Sequence, residues 1–226
     1  RDFCLSRGLG DVYKRQSTTD ANGVVTQVAY DLKGQVVSQT VDPTGLNLTT
    51  TYTYDDVGHV LTVTDPKGVA TEYVYDALGR RIESHVDPAG LNITRSYAYD
   101  ADGNVVAATD GNGNTTRYVY DADSRLVYTV DAAGDVQQNA YDAQGRLTTT
   151  TAYANRVSLS GLADAPTLAD VAGRINADPA HDEAQSRVYD ADGRLHYTVD
   201  GAGSVVRYTY DANGNVVDRV AYATAI

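Results

Sequence analysis

The sequence repeats one short pattern eight times: a tyrosine, an aspartate and, three residues after the aspartate, a glycine, which one copy replaces with serine. Near-copies include YDADGR at 189–194, YDADGN at 99–104 and YDALGR at 75–80. The tyrosines fall at 30, 54, 75, 99, 120, 141, 189 and 210, which are 21 or 24 residues apart except for one gap of 48. Periods of about twenty residues are typical of arrays in which each unit packs on its neighbours, and not of a domain with one core.

A second Asp-to-Gly pattern lies midway between successive copies, as in DPTG at 42–45, DPKG at 65–68, DPAG at 87–90 and DGNG at 110–113. The segments between the two patterns alternate. In RLVYTVD (125–131), Leu126, Tyr128 and Val130 are predicted to share one face of a strand, and Val127 and Thr129 the other. Each unit is therefore predicted to be a β-hairpin, and eight units give about sixteen antiparallel strands. At about 4.8 Å per strand the sheet would be roughly 75 Å wide, so we expect it to spiral.

Each copy of the tyrosine pattern is here termed a corner, which has six residues and ends at the residue after the glycine. Its aspartate is predicted to begin a type I turn, and its glycine to supply the positive φ that closes the turn. In one corner Ser124 stands where the others have glycine. The predicted structural corner residues are Tyr30, Asp31, Gly34, Tyr54, Asp55, Gly58, Tyr75, Asp76, Gly79, Tyr99, Asp100, Gly103, Tyr120, Asp121, Tyr141, Asp142, Gly145, Tyr189, Asp190, Gly193, Tyr210, Asp211 and Gly214.

The strand that enters most corners ends in Tyr-x-Tyr, as in Tyr73 and Tyr75 or Tyr208 and Tyr210. A spacing of two places both rings on one face, so successive units are predicted to build a tyrosine ladder across the sheet. All eighteen tyrosines except Tyr13 fit this system.

Two units are three residues longer than the others and contain DPTGLN at 42–47 and DPAGLN at 87–92. We expect the extra residues to lengthen the hairpin arms or to form a bulge.

Residues 154–187 interrupt the repeat and are predicted to form a helical insertion. Leu168, Val171 and Ile175 have helical spacing, and Thr167 is a predicted N-cap. A second short helix is predicted to begin after Asp178, with a proline at its first position. We expect these helices to pack on the sheet or to cover one end of it. The alternative is a docking site for a partner, because insertions in repeat arrays tend to mark the binding face.

The ends of the chain are predicted to differ in kind. Residues 1–16 hold the one cysteine, Cys4, and contain neither turn pattern, so we expect this non-repeat segment not to be native sequence. Residues 17–153 and 188–226 are predicted to be the repeat array. GRLTTTTAY (145–153) aligns without gaps with GNVVDRVAY (214–222), which predicts a longer repeat of about seventy residues that continues past the C-terminus.

The composition argues against several classes of function. A net charge of −12 disfavours nucleic acid and anionic membranes as partners, no apolar run is long enough to insert into a membrane, and one cysteine excludes an internal disulfide framework. Only three of the 30 acidic residues are glutamates, so the acidity is interpreted as turn chemistry.

No constellation typical of catalysis is present, and we expect neither enzyme activity nor a cofactor. The four histidines, His59, His85, His181 and His196, are not at metal-ligand spacing. The best metal candidates are calcium sites at Asp100 with Asp102 and at Asp190 with Asp192. These pairs lack the third acid and the distal glutamate of a calcium loop, which favours structural turns.

The corners, the mid-unit turns and the Tyr-x-Tyr arms together resemble the Rhs/YD-repeat family over about residues 17–226. The resemblance implies an all-β fold, a long antiparallel sheet of hairpins that spirals into a hollow shell, of which this chain would be a part. In bacterial polymorphic toxins and insecticidal toxin complexes such shells enclose a C-terminal toxin, and teneurins carry a similar shell. The tyrosine-rich core that closes bacterial shells and holds the self-cleavage aspartates is missing, and DPTGL and DPAGL are interpreted as turns.

Two functions follow from this resemblance. The first is a structural wall segment of a shell around a C-terminal toxin or effector, with the rest of its own chain, and secretion-apparatus proteins, as partners. The second is an adhesion module that binds a cell-surface glycan or a protein through its tyrosine-rich face. The family implies that the protein is secreted or on the bacterial cell surface.

Overall fold

The computed structural model describes residues 14–222, which form seventeen strands and one short helix. The all-β antiparallel array of hairpins with a short helical insertion is thus confirmed. Of the predicted non-repeat segment, residues 1–13 lie outside the described residues, and residues 14–16 belong to the first strand. The chain divides into two compact units between Ser96 and Tyr97.

In the first unit each strand pairs antiparallel with the next strand in sequence. The strands are β1 (Lys14–Thr19), β2 (Val25–Tyr30), β3 (Val36–Val41), β4 (Leu48–Tyr54), β5 (Val60–Thr64), β6 (Ala70–Tyr75), β7 (Arg81–Val86) and the first half of β8 (Ile93–Tyr99).

The second unit has the same sequential pairing from β9 to β17. Its strands are β9 (Val105–Thr109), β10 (Thr115–Tyr120), β11 (Leu126–Val130), β12 (Val136–Tyr141), β13 (Leu147–Ala152), β14 (Glu183–Tyr189), β15 (Leu195–Val199), β16 (Val205–Tyr210) and β17 (Val216–Ala221). The helix α1 (Leu168–Ala172) lies in the segment between β13 and β14.

Each corner is a tight turn followed by a bulge. In the corner that begins at Tyr141, the Gly145 N–H donates to the Asp142 carbonyl at 2.9 Å, and the Asp142 N–H donates to the Arg146 carbonyl at 3.0 Å. Gly145 has a φ of +78°, a value that glycine adopts without steric cost. The strand register then shifts at the tyrosine, so that Tyr141 lies opposite Leu147. The same shift occurs at Tyr30, Tyr54, Tyr75, Tyr120, Tyr189 and Tyr210.

The two longer units carry their extra residues in the turn as well as in the arms. In the unit from Tyr30 to Tyr54, β3 has 6 residues and β4 has 7, whereas the next unit has strands of 5 and 6. The third extra residue lengthens the turn, where Asp42 and Asn47 both have positive φ. The Asp42 carboxylate accepts a hydrogen bond from the Leu46 N–H at 2.8 Å. The DPTGL text is therefore a turn, as interpreted from the sequence.

The insertion is shorter and less helical than the sequence predicts. Thr167 caps α1 through a capping box with Asp170, as expected from the sequence. The second predicted helix does not form. Residues after Asp178 make a single turn, in which the His181 and Asp182 N–H groups donate to the Asp178 carbonyl. The chain then enters β14 at Glu183, because this segment pairs with β13 and resumes the array.

The insertion packs on the sheet face opposite the tyrosine ladder. Its side chains Val157, Leu162 and Val171 form one cluster with Val119, Tyr128, Val130 and Val136 of β10, β11 and β12. Val130 and Val171 are fully buried. The register places Val119 opposite Tyr128 and Tyr118 opposite Thr129, so Tyr128 and Tyr118 face opposite sides. Tyr128 is therefore a core residue under the insertion, and the prediction that it belongs to the ladder is wrong.

Gly134 joins the insertion to the turn between β11 and β12. The Val157 N–H donates to the Gly134 carbonyl at 2.8 Å, and a Cβ at Gly134 would lie 2.4 Å from the Val157 carbonyl oxygen. A side chain at this position would therefore push the insertion away from the sheet.

Ser124 has a φ of +58°, in the region that its glycine counterparts occupy. Because an L-residue is strained there, we expect Ser124→Gly to raise the free energy of unfolding by about 1 kcal/mol. The exposed hydrogen bond from Asn104 Nδ2 to Ser124 Oγ, at 3.1 Å, would be lost and is a minor opposing effect. Denaturant unfolding measures the change.

The reverse change, Gly145→Ser, is the matched control and should destabilise the protein by a similar amount. A Ser124→Gly protein that unfolds at lower denaturant than the parent would contradict the turn assignment.

Candidate functional site

The corner aspartates are bound by their own turns. In the corner at Tyr75, Asp76 Oδ1 accepts hydrogen bonds from the Leu78 and Arg80 N–H groups, both at 2.9 Å. Its other oxygen, Oδ2, accepts one from Arg80 Nε at 2.7 Å. The pKa of the Asp76 carboxyl lies below its ordinary value, mainly because the Arg80 backbone N–H donates to it and also because the Arg80 side chain does. The carboxylate is a structural part of the turn.

The sixth residue of a corner links its aspartate to the tyrosine of the next corner. Arg146 Nε lies 2.7 Å from Asp142 Oδ2, and the Arg146 guanidinium carbon lies 4.8 Å from the centre of the Tyr189 ring. The same arrangement joins Arg125 to Tyr141 and Arg194 to Tyr210, at 5.2 and 5.1 Å. His59 has the equivalent place in its corner and stacks on Tyr75.

The tyrosine hydroxyl completes the link between corners by a hydrogen bond to backbone. Tyr75 donates to the Val60 carbonyl at 2.9 Å, and Val60 is the first residue after the preceding corner. The equivalent bonds are those of Tyr54 to Val36, Tyr141 to Leu126, Tyr189 to Leu147 and Tyr210 to Leu195, all between 2.7 and 2.9 Å. Each acceptor lies at the bulge, where the strand ladder is locally disrupted. Burial raises the pKa of the Tyr54 and Tyr75 hydroxyls, so both remain donors.

The insertion does not interrupt this ladder. The bond from Tyr189 to the Leu147 carbonyl joins residues 42 apart, where most of its equivalents join residues 15 apart. Asp182 closes the base of the insertion, because its carboxylate accepts from the Ala154 and Asp178 N–H groups, both at 2.8 Å. The strands β13 and β14 can therefore pair as directly as any other neighbours.

In both calcium candidates the corner aspartate is bound by the side chain of the sixth corner residue. Arg194 contacts both Asp190 and Asp192, through Nε and Nη2, at 2.8 Å each. Asp100 Oδ2 accepts from Asn104 Nδ2 at 2.9 Å, while Asp102 is exposed in the turn. Across residues 14–222, no group of three histidine, cysteine or acidic side chains is placed to hold a metal ion.

The four histidines have separate local contacts and form no shared site. His59 pairs with Asp55, His85 with Glu83 and Thr94, His181 with Asp178, and His196 with the Tyr208 carbonyl. No helix in the described part of the chain is long and apolar enough to span a membrane.

The sequence alone did not predict the contact that the sixth residue of a corner makes with the tyrosine of the next corner. Its signal was present, since arginine occupies this position at 80, 125, 146 and 194. The spacing shows the repetition, but the contact to the next tyrosine depends on how far the guanidinium reaches across the sheet.

We expect Tyr189→Phe to lower the free energy of unfolding by about 1 kcal/mol, because the half-buried Leu147 carbonyl loses its donor. Chemical denaturation measures the loss. Tyr118→Phe is the matched control, since no described residue hydrogen-bonds to the Tyr118 hydroxyl, and it should change stability by less than about 0.5 kcal/mol. Equal losses in the two variants would show that the hydroxyl bond is not a link between corners.

Acid should weaken the corners. A carboxyl whose pKa is lower in the folded protein, as in Asp76, Asp142 and Asp190, stabilises the fold above its unfolded pKa of about 3.9 and loses that effect as the pH falls. We therefore expect the free energy of unfolding to decrease as the pH drops below about 4. Asp142→Asn should make this decrease shallower, and Asp102→Asn, in an exposed turn position, should leave it as it is. A pH profile that Asp142→Asn does not alter would contradict the assignment.

The comparisons with known proteins agree with this geometry. The RHS Repeat family matches three segments, residues 54–91, 99–136 and 189–224. A search of curated protein sequences gives no match.

Among solved structures, the fold is similar to a TcdB2-TccC3 crystal structure that lacks the hypervariable C-terminal region, with a TM-score of 0.56 and 14% identity over 94% of this chain. It is also similar to the pore form of the Photorhabdus luminescens Tc holotoxin with a mutated TccC3, with a TM-score of 0.53 and 18% identity over 92% of this chain. The chain spans 13% of the length of each of these chains. The three matched segments show that the chain contains RHS repeats, and its repeated corners and sequentially paired hairpins carry the same unit through the residues that the structure describes.

Proposed function

We propose that this chain is a wall segment of an RHS-repeat shell that encloses a C-terminal toxin or effector domain of the same polypeptide. The observation that carries the proposal is the corner-to-corner link, in which five corner tyrosines donate to the backbone carbonyl of the first residue after the preceding corner; they are Tyr54, Tyr75, Tyr141, Tyr189 and Tyr210. Contacts of this kind extend a sheet by one hairpin at a time and need no other ligand.

Several features support a structural role and not a catalytic one. The corner carboxylates are engaged by backbone N–H groups and, in seven of the eight corners, by the side chain of the sixth corner residue. Similarity to Tc toxin chains favours a place in a larger toxin assembly, with the remainder of its own chain and secretion-apparatus proteins as partners. A secreted or cell-surface location on bacteria belongs to the same proposal.

The test uses the complete gene product that contains this sequence. Limited proteolysis at neutral pH should leave the region C-terminal to the repeats intact while exposed loops are cut. Asp142→Ala removes the carboxylate that holds one corner, and we expect it to increase the rate of cleavage of that region at least tenfold through local opening of the wall. Asp102→Ala, at an exposed turn position, is the control and should preserve protection.

Cleavage of the C-terminal region at the same high rate in all three proteins would contradict encapsulation. Specific binding of the parent protein to a glycan array, together with such unprotected cleavage, would favour an adhesion module instead.

A further inference from the structure

One corner differs from the others in the hydrogen bonds that its aspartate accepts. In seven corners the Oδ2 atom of the aspartate accepts a hydrogen bond from the sixth corner residue, at distances of 2.7 to 3.0 Å. The exception is the corner at Tyr30, whose sixth residue is Gln35. There the Gln35 backbone N–H donates to Asp31 Oδ1 at 2.8 Å, and no described residue pairs with Asp31 Oδ2.

The tyrosine of the following corner, Tyr54, lacks the cation or ring that covers its equivalents; the Gln35 amide lies there instead, with Nε2 3.0 Å from the place that a Cβ would take at Gly58. A cation or a histidine ring lies over Tyr75, Tyr141, Tyr189 and Tyr210, supplied in each case by the preceding corner. Gln35 is the residue in the equivalent place for Tyr54, and an amide has neither the charge nor the length of a guanidinium. Within the described chain, no cation or aromatic ring stacks on the Tyr54 ring.

A cleft opens at this position. It has a volume of about 420 Å³ and is lined by Asp31, Gln35, Val37, Tyr52, Tyr54 and Asp55, among others. Lys33 stands at its rim, where its Nζ donates to the Asp56 carbonyl at 2.9 Å. The cleft therefore combines an aromatic ring with a carboxylate oxygen, the two groups that bind the guanidinium in the arginine-containing corners.

We propose that this cleft binds a guanidinium group, presented by an arginine side chain of another polypeptide segment. The guanidinium would donate to Asp31 Oδ2 and lie over the Tyr54 ring, as Arg146 does with Asp142 and Tyr189. Arginine is favoured over lysine because its planar fork can donate to a carboxylate while its face stacks on an aromatic ring. The ligand class is thus inferred from the equivalent corners, in which an arginine of the protein itself occupies the site.

The probe is N-acetyl-arginine amide, titrated into the full chain labelled with ¹⁵N. We expect saturable shifts of the Asp31, Gln35 and Gly58 amide signals, with a dissociation constant in the millimolar range, as is usual for one side chain. The uncharged isostere N-acetyl-citrulline amide should bind at least tenfold more weakly, and N-acetyl-lysine amide should be intermediate. Absent shifts, or equal shifts with the arginine and citrulline probes, would overturn the proposal.

Gln35→Arg provides an internal competitor. We expect this variant to lose the probe-dependent shifts and to unfold at a higher temperature than the parent, because the new arginine fills the cleft. Gln137→Arg, at an exposed position of β12, adds the same charge elsewhere and should retain binding. Undiminished binding by a folded Gln35→Arg protein would show that the guanidinium does not occupy this cleft.

Arg125→Gln tests the same logic in reverse, because it removes the guanidinium that now lies over Tyr141. We expect this variant to gain a second set of saturable shifts at Asp121 and Gly145, in addition to those at Asp31. A folded Arg125→Gln protein that gains no such shifts would contradict the assignment of these two groups as the binding determinants.

Discussion

A single-layer sheet has few ways to fix one hairpin against the next, because its side chains have no second layer to bury them. Within residues 14–222, the buried apolar residues all belong to the second unit, and all but Ala107 form the cluster between the insertion and the sheet. Elsewhere the hairpins are held to one another at their corners, where a tyrosine hydroxyl donates to a backbone carbonyl at the bulge of the preceding corner. That bond needs the bulge, the bulge needs a positive φ, and the positive φ explains why glycine recurs. The aspartate accepts hydrogen bonds from the backbone of the turn, and the sixth residue donates to the aspartate. One short pattern therefore supplies all the contacts that join one hairpin to the next.

Much of this could be predicted from the sequence, because the determinants are local. The corner turns, the hairpin order and the cap at Thr167 all follow from residues within a few positions of one another. The failures involve competition with distant partners. Asp178 and the residues after it satisfy the rules for a helix start, yet Glu183 is already in β14 because β13 needs a neighbouring strand. Tyr128 looks like another ladder residue, and only the strand register shows that it faces the insertion. Of the candidate site, the sequence displayed the recurrent arginine but not the ring that it covers.

The two faces of the second unit have different roles. One carries the tyrosines that link corner to corner, and the other carries the valines on which the insertion packs. A sheet built in this way keeps its internal connections at the corners and leaves its faces available for other contacts. That separation suits a wall, whose inner and outer surfaces must meet different surroundings without changing the repeat itself. In the first unit, the pairing of β2 with β3 does not involve Gln35, so the guanidinium site proposed at Asp31 would leave the strand ladder as it is.

The closed base of the insertion has a consequence for how such arrays can change. Because Asp182 holds the two ends of the segment together and β13 pairs directly with β14, the pairing of these two strands does not depend on the length of the segment between Tyr153 and Asp182. The entropy of closing a loop grows slowly, by about 0.6 kcal/mol for each doubling of its length. The position could therefore accept a loop, a helical cap or an entire foreign domain while the neighbouring hairpins keep their register, provided that the replacement also covers Val130 and Val136 on the sheet.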